Sequence, residues 1–125
     1  MRKTRGQMEE EICKAIMKFE KDYMGRGPLE TRTHIIEDIV LIRLKKVLTQ
    51  AELNLAKSEG DSRGRELIKQ IRIELLEKGR SLLETSIQSI TQRVVVSLHT
   101  DISTKTGERI IIFTLDGHPA FDGSD

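Results

Sequence analysis

The stretch that decides the fold runs from Val94 to Asp116 and reads VVVSLHTDISTKTGERIIIFTLD. β-branched and other apolar residues fill both of its ends, which predicts strands over residues 93–101 and 109–115. Thr106 and Gly107 lie between the two strands, where a hairpin loop favours a glycine. The stretch is therefore predicted to form an antiparallel β-hairpin.

The connection between these strands holds more hydroxyl and charged side chains than a chain reversal requires. It can be interpreted as a solvated loop of good turn formers, as a pocket for a small anion or ligand, or as a docking surface for another protein. His99 and Asp101 are two residues apart on one strand face. The simplest interpretation of His99 is a structural or solvent-facing role, and the alternative is a proton-linked or ligand-contacting role. The candidate ligand or partner contacts in this region are His99, Thr100, Asp101, Ser103, Thr104, Lys105, Thr106 and Arg109.

Three helices are predicted upstream of the hairpin. The first covers residues 8–23, where apolar residues recur at helical spacing, and it ends at Gly25–Pro28. A short second helix is predicted over residues 50–58, because the sequence at its start matches a capping box. The third covers about residues 63–90 and has a wide apolar face. Its Gly79 is interpreted as a kink or a close contact between helices.

Residues 31–46 are rich in β-branched side chains and are predicted to form one long strand. Both faces of such a strand are partly apolar, so we expect its second face to be covered by another helix or by a partner subunit. Alternation along a continuous strand puts Ile36, Val40, Ile42 and Leu44 on one face and Ile35, Ile39 and Leu41 on the other.

These elements predict an α+β fold in the order α-β-α-α-β-β. The three strands are expected to form one antiparallel sheet, with the helices packed on one face in a two-layer arrangement. The 125 residues suit a single domain, predicted over residues 6–116, with flexible tails at 1–5 and 117–125. The second face of the sheet is the candidate surface for a homodimer.

The composition argues against several functional classes. The chain has 21 basic and 20 acidic residues, so no broad positive surface for nucleic acid is expected. Its one cysteine, Cys13, cannot form an intramolecular disulfide, and its three histidines lack the paired spacing of a metal site. We therefore predict no metal, no cofactor and no catalytic residues, although an enzyme using His99 and Asp101 remains an alternative hypothesis.

The chain is expected to be soluble and cytoplasmic. The sequence has no secretory pattern and no run of the roughly 20 apolar residues needed to span a bilayer. Direct membrane insertion is therefore not expected, and any link to a membrane is expected to involve a partner protein.

The glycine-containing loop Gly25-Arg26-Gly27-Pro28 provides a second hypothesis about function. It lacks the spacing of a phosphate-binding P-loop, and its simplest interpretation is a helix stop. Arg26 and freed backbone amides could also contact an anion. A small-anion sensor would require this loop and the 100–109 turn to lie together, with Arg26, Lys105 and Arg109 converging.

Three segments together resemble the MpsC family: GRGP at 25–28, VLTQAE at 47–52 and HTDISTKTGERIIIFTLD at 99–116. The resemblance covers about residues 6–116, and the last segment is the most specific. The family name stands for Na+-translocating membrane-potential-generating system protein C. The resemblance implies a bacterial accessory or regulatory protein with a partner in a membrane system that moves cations or inorganic carbon. It implies no catalytic residues.

Overall fold

The computed structural model describes residues 3–25, 27–57 and 62–122. Each helix starts or ends where a local signal predicts. Thr4 and Gln7 form a capping box before the first helix, Thr49 and Glu52 form another before the second, and Gly25 ends the first helix with a φ of 81°. The elements are α1 (Arg5–Met24), β1 (Glu30–Ile36), β2 (Ile39–Lys45), α2 (Gln50–Ala56), α3 (Arg63–Thr91), β3 (Val95–Ile102) and β4 (Arg109–Leu115).

The strands form one antiparallel sheet in the order β1-β2-β4-β3. The predicted hairpin is confirmed, because β3 pairs with β4 from Ile102 opposite Arg109 to Val95 opposite Leu115, with a register shift between Val95 and Ser97. The α+β class is also confirmed. The sheet therefore has β1 and β3 as its two edges.

The prediction of three strands is wrong, because residues 31–46 form a hairpin rather than one strand. The chain reverses at Glu37, which adopts a φ of 56°, and Ile36 pairs with Ile39 across the turn. The turn residues are Glu37 and Asp38, with no glycine or asparagine to indicate a reversal. The element order is therefore α-β-β-α-α-β-β, with four strands.

The same turn corrects the predicted faces of this segment. Reversal shifts the alternation, so Ile35 is buried at 3% exposure on the side of Val40, whereas Ile36 is 54% exposed. Ile39 and Leu41 lie on the face opposite to Val40, and both are half-buried. Ile35 therefore does not belong to the candidate dimer surface, but Ile39 and Leu41 do.

The core lies between one face of the sheet and the helices. Alternate residues of the two central strands are almost fully buried there, together with the apolar stripes of α1 and α3. The helices approach closely at Gly79, where a Cβ atom would lie 2.4 Å from Cε2 of Phe19. The apolar residues with the lowest exposure are Ile12, Ile16, Val40, Ile42, Leu44, Ile87, Ile111 and Phe113.

Helix α3 is much longer than the strands it accompanies. Its 29 residues correspond to about 44 Å, whereas a strand of 7 or 8 residues spans about 25 Å. Near its start, Gly64 packs against the backbone carbonyl of Leu55 in α2. Leu67, Ile71 and Ile73 are each about half exposed in this part of the helix.

The end of the described chain packs beside its beginning. Phe121 is only 7% exposed, and the backbone N–H of Asp122 donates to the carbonyl of Lys3 at 2.8 Å. The flexibility predicted for residues 1–5 and 117–125 stays a prediction, as do the domain limits, and residues 1–2 and 123–125 lie outside the described parts.

Candidate functional site

The loop after α1 and the β3–β4 turn lie at the same end of the sheet. The backbone N–H of Leu29 donates to the carbonyl of Lys45 at 2.9 Å, and that of Val47 donates to the carbonyl of Gly107 at 2.9 Å. The end of β2 and the residues after it thus lie between Leu29, which directly follows residues 27–28, and Gly107 of the turn. The small-anion hypothesis requires this shared location. Arg26 itself lies outside the described residues.

Two hydroxyl groups of the β3–β4 turn accept hydrogen bonds from backbone N–H groups of the same turn. The Ser103 N–H donates to the carbonyl of Glu108 at 2.8 Å, and Oγ of Ser103 accepts from the N–H of Thr106 at 3.2 Å. Oγ1 of Thr106 in turn accepts from the N–H of Glu108 at 3.2 Å. These contacts fit the interpretation as a tight turn of good turn formers, in which Lys105 and Thr106 are exposed and Thr104 is half-buried.

The predicted site residues separate onto the two faces of the sheet. His99 and Asp101 are exposed on the face away from the helices, whereas Thr100 and Arg109 lie on the helix side. Arg109 is 2% exposed, so it does not share a surface with the exposed Lys105. The functional roles proposed for these residues stay predictions.

Asp101 takes part in a local ion pair at the edge of the sheet. Oδ1 of Asp101 accepts a hydrogen bond from the backbone N–H of Ile102 at 2.8 Å. The same oxygen lies 3.3 Å from Nζ of Lys69. The backbone hydrogen bond from Ile102, together with Lys69, lowers the pKa of Asp101. An open depression of about 360 Å³ lies beside this pair and the turn.

A cluster of buried charged residues lies beneath the sheet, and sequence reasoning missed most of it. Glu20 of α1, Arg72 of α3 and Arg109 of β4 are 0%, 3% and 2% exposed. Nη2 of Arg72 lies 2.7 Å from Oε1 of Glu52 and donates to the carbonyl of Val47 at 3.0 Å, while Nε of Arg72 donates to Oε2 of Glu52 at 3.2 Å. Arg72 is therefore paired by a fork of contacts.

Several other polar atoms of this cluster lack a hydrogen-bond partner among the described residues. Both carboxylate oxygens of Glu20, Nη1 of Arg72, and Nε and Nη1 of Arg109 are buried without a hydrogen bond to any residue in the described parts of the chain. Burial raises the pKa of Glu20, although the positive charges of Arg109 and Arg72 oppose the shift. Burial likewise lowers the pKa of Arg109, opposed by Glu20. The three groups therefore lie within electrostatic range of one another.

The signal that could have found this cluster is a charged residue at an apolar position of the pattern. Glu20 follows Ile16 by four residues on the buried stripe of α1, and Arg72 follows Ile68 by four residues on that of α3. Arg109 occupies an inward position of β4. A charged residue that occupies a position of the apolar repeat is expected to be buried together with the apolar residues of that repeat.

The second face of the sheet carries an apolar centre. We call it the open face, formed by the outward side chains of all four strands. In its middle row, His34, Leu41, Ile112 and His99 lie side by side across the strands. The outward apolar side chains of the open face are Ile36, Ile39, Leu41, Ile110 and Ile112.

The comparisons with known proteins define the class. Residues 4–117 match the protein family described as "Na+-translocating membrane potential-generating system (MpsC)", and the chain belongs to this family. Among its relatives is "Uncharacterized protein YbcI" of Bacillus subtilis (strain 168). The two are 44% identical over 115 residues, covering 92% of this chain and 90% of the relative. No solved structure matches the chain.

Two further observations concern the described residues alone. None of the helices that the structure describes is long and apolar enough to cross a membrane. Within the same ranges, no three His, Cys, Asp or Glu side chains are placed to hold a metal ion.

Proposed function

We propose that this protein is a non-enzymatic, cytoplasmic accessory or regulatory protein that acts by protein contact and forms a homodimer through the open face. The observation that carries the proposal is the apolar centre of that face, which the helices of the same chain leave uncovered on the side opposite the core. Family membership supports an association with a Na+-translocating membrane system.

The strand register favours a second copy of the chain as the occupant of the open face. A two-fold axis parallel to the strands would place β1 of one copy over β3 of the other at the same level. In the middle row, Leu41 would then face Ile112 of the second copy, and Ile112 would face its Leu41. The central apolar side chains would thus be buried in two equivalent contacts.

The charges of the adjacent row also fit this arrangement. Arg32, Arg43, Ile110 and Asp101 lie side by side across the sheet, so the row has arginines on the β1 side and an aspartate at the β3 edge. Within one chain these side chains already form exposed ion pairs, Arg32 with Glu30, Arg43 with Glu108 and Asp101 with Lys69. The same axis would place Arg32 opposite Asp101 of the second copy. Opposite charges would therefore meet twice, which specifies the alignment of the two sheets.

The oligomeric state tests this proposal. We expect the native chain to sediment as a dimer and Leu41→Asp to sediment as a monomer with an unchanged circular-dichroism spectrum, because a carboxylate in the middle row would be buried unpaired. Leu67→Asp is the matched control, since Leu67 is 51% exposed on α3 and away from the sheet. It should remain dimeric. A native monomer at all concentrations would refute the homodimer.

A charge exchange tests the alignment separately. Arg32→Asp should weaken the dimer, because like charges would then meet at both ends of the row. Adding Asp101→Arg to that variant should restore it. If the double variant dimerises more weakly than the single variant, the proposed axis is wrong.

The accessory role requires a cellular measurement. In a bacterium lacking the gene, the native chain should restore a sodium-dependent membrane potential, and the monomeric Leu41→Asp variant should not. Full restoration by a folded monomer would separate the accessory role from the dimer.

A second candidate function is sensing of a small ligand, and the specific observation that favours it is the shared location of residues 27–28 and the 103–108 turn. A ligand bound at this end would contact the connections that join α1, β2 and the β3–β4 hairpin. Its binding could therefore change how the chain presents its surfaces to a partner.

A further inference from the structure

We propose that Glu20, Arg72 and Arg109 form an internal binding site for a small monovalent oxyanion, with formate and nitrate as the probes. The proposal gives the second candidate function a ligand class and a set of buried contacts, and it does not depend on the homodimer. It rests on charged atoms that three different elements bring beneath the sheet without supplying their hydrogen bonds.

The hydrogen-bond donors of the cluster call for an acceptor. A guanidinium carries five N–H groups and no acceptor, and it stays charged in proteins. Nε and Nη1 of Arg109 and Nη1 of Arg72 are buried without a partner in the described chain. Each of these unpartnered N–H groups can donate a charge-assisted hydrogen bond to an oxygen of an anion.

The charges of the cluster favour an anion carrying a single charge. The charge of Arg72 is offset by Glu52, with which it makes two hydrogen bonds. Glu20 is the group left to offset Arg109, and burial raises the pKa of its carboxyl, while Arg109 and Arg72 oppose the shift. When Glu20 is protonated, one positive charge is left without compensation, and the O–H can donate a further hydrogen bond to the anion.

The position of the cluster gives it a connection to the surface. Arg109 is the first residue of β4 and directly follows the 103–108 turn, while Glu20 lies one helical turn before the end of α1. The site is therefore beneath the same sheet end as the loop after α1.

Titration with defined anions tests the proposal. The probes are potassium formate and potassium nitrate, with potassium chloride at equal ionic strength as the reference. We expect a saturable shift of the Arg109 Nε–H resonance and a higher thermal midpoint in the oxyanions than in chloride. Because each charge-assisted hydrogen bond counts for about tenfold or more in affinity, Arg109→Met should weaken binding by at least about that factor.

Two more variants keep the test decisive if Arg109→Met does not fold. Wild-type binding should weaken with rising pH as Glu20 ionises among Arg72, Arg109 and Glu52, whereas Glu20→Gln should bind with no such dependence, because its amide always donates. Lys105→Gln on the exposed turn should bind like the wild type.

Three results would overturn the internal site. An unmoved Arg109 Nε–H resonance, or equal effects of formate, nitrate and chloride, would mean that water or a direct Glu20–Arg109 contact satisfies the cluster. Loss of binding in Lys105→Gln but not in Glu20→Gln or Arg109→Met would place the anion on the exposed turn. That last outcome would leave the second candidate function standing.

Discussion

Single residues in the core carry charge where the pattern of the chain calls for apolar side chains. Arg72 and Glu52 show how such a residue is accommodated, since the guanidinium also satisfies the carbonyl of Val47. Removing one partner of a buried ion pair costs about 3–5 kcal/mol, because the other charge is left uncompensated. Glu20 and Arg109 lack such direct pairing in the described chain, so the protonation state of Glu20 affects stability.

At the residue scale, Glu20 is predicted to make stability fall as pH rises. Its pKa in the folded chain is raised above the ordinary value of 4.5, chiefly by burial. Above pH 4.5 the unfolded chain therefore releases a proton that the folded chain retains, and the free energy of unfolding decreases until pH passes the raised pKa. The variant Glu20→Gln should lack this decrease.

The prediction can be measured by urea unfolding between about pH 4 and pH 8 in chloride buffer. The stability of Glu20→Gln relative to the wild type should increase with pH across the window above 4.5. Glu74→Gln, an exposed glutamate of α3, serves as the control and should follow the wild type. Parallel curves for Glu20→Gln and the wild type would contradict the prediction.

The apolar part of the core was predictable from residue spacing, but its charged part was not. Met8, Ile12, Ile16 and Phe19 follow the helical period and are buried, whereas Tyr23, predicted on the same face, is 40% exposed. Glu20 lies on the same stripe, yet a carboxylate is ordinarily assigned to solvent, and its compensating groups come from α3 and β4. Burial of such a group depends on contacts between distant parts of the chain, which spacing along one helix does not contain.

At the scale of elements, local signals predicted where α1 ends and where α2 begins. They missed the start of α1, which lies at Arg5 rather than at residue 8, and they missed the β1–β2 turn. Both hydrogen bonds of the Thr49–Glu52 capping box form, so α2 begins where the sequence indicates. The β1–β2 hairpin was missed because Glu37 occupies a conformation usually taken by glycine or asparagine. The pairing of Ile36 with Ile39 enforces that conformation against the local preference.

The variant Glu37→Gly is accordingly predicted to stabilise the fold. The φ of 56° at Glu37 is unfavourable for a residue with a Cβ atom. Glycine removes that strain, so the free energy of unfolding is expected to rise by about 1 kcal/mol. Thermal and urea unfolding would measure the gain. Asp38→Gly in the same turn is the control, since its φ is not positive and the added chain entropy should lower stability. Equal effects of the two substitutions would show that strain at Glu37 is negligible.

At the scale of the whole molecule, the two-layer α+β architecture was predicted correctly and the strand count was not. The missed reversal changed the residues of the open face, replacing Ile35 by Ile36 beside Ile39 and Leu41. The strand order β1-β2-β4-β3 then places β2 and β4 in the centre. That order brings Leu41 next to Ile112, a pairing of residues far apart in the chain that strand alternation alone does not specify.

The excess length of α3 over the strands implies that its two halves differ in local stability. The second half is fixed between α1 and the sheet, with Leu83 and Ile87 at 1% and 0% exposure. The first half packs against the short α2 and is joined to it by the Arg72–Glu52 ion pair. Several apolar side chains of this half remain exposed. Native-state amide hydrogen exchange should therefore show residues 64–71 opening before residues 80–90, so that one continuous helix belongs to two cooperative unfolding units.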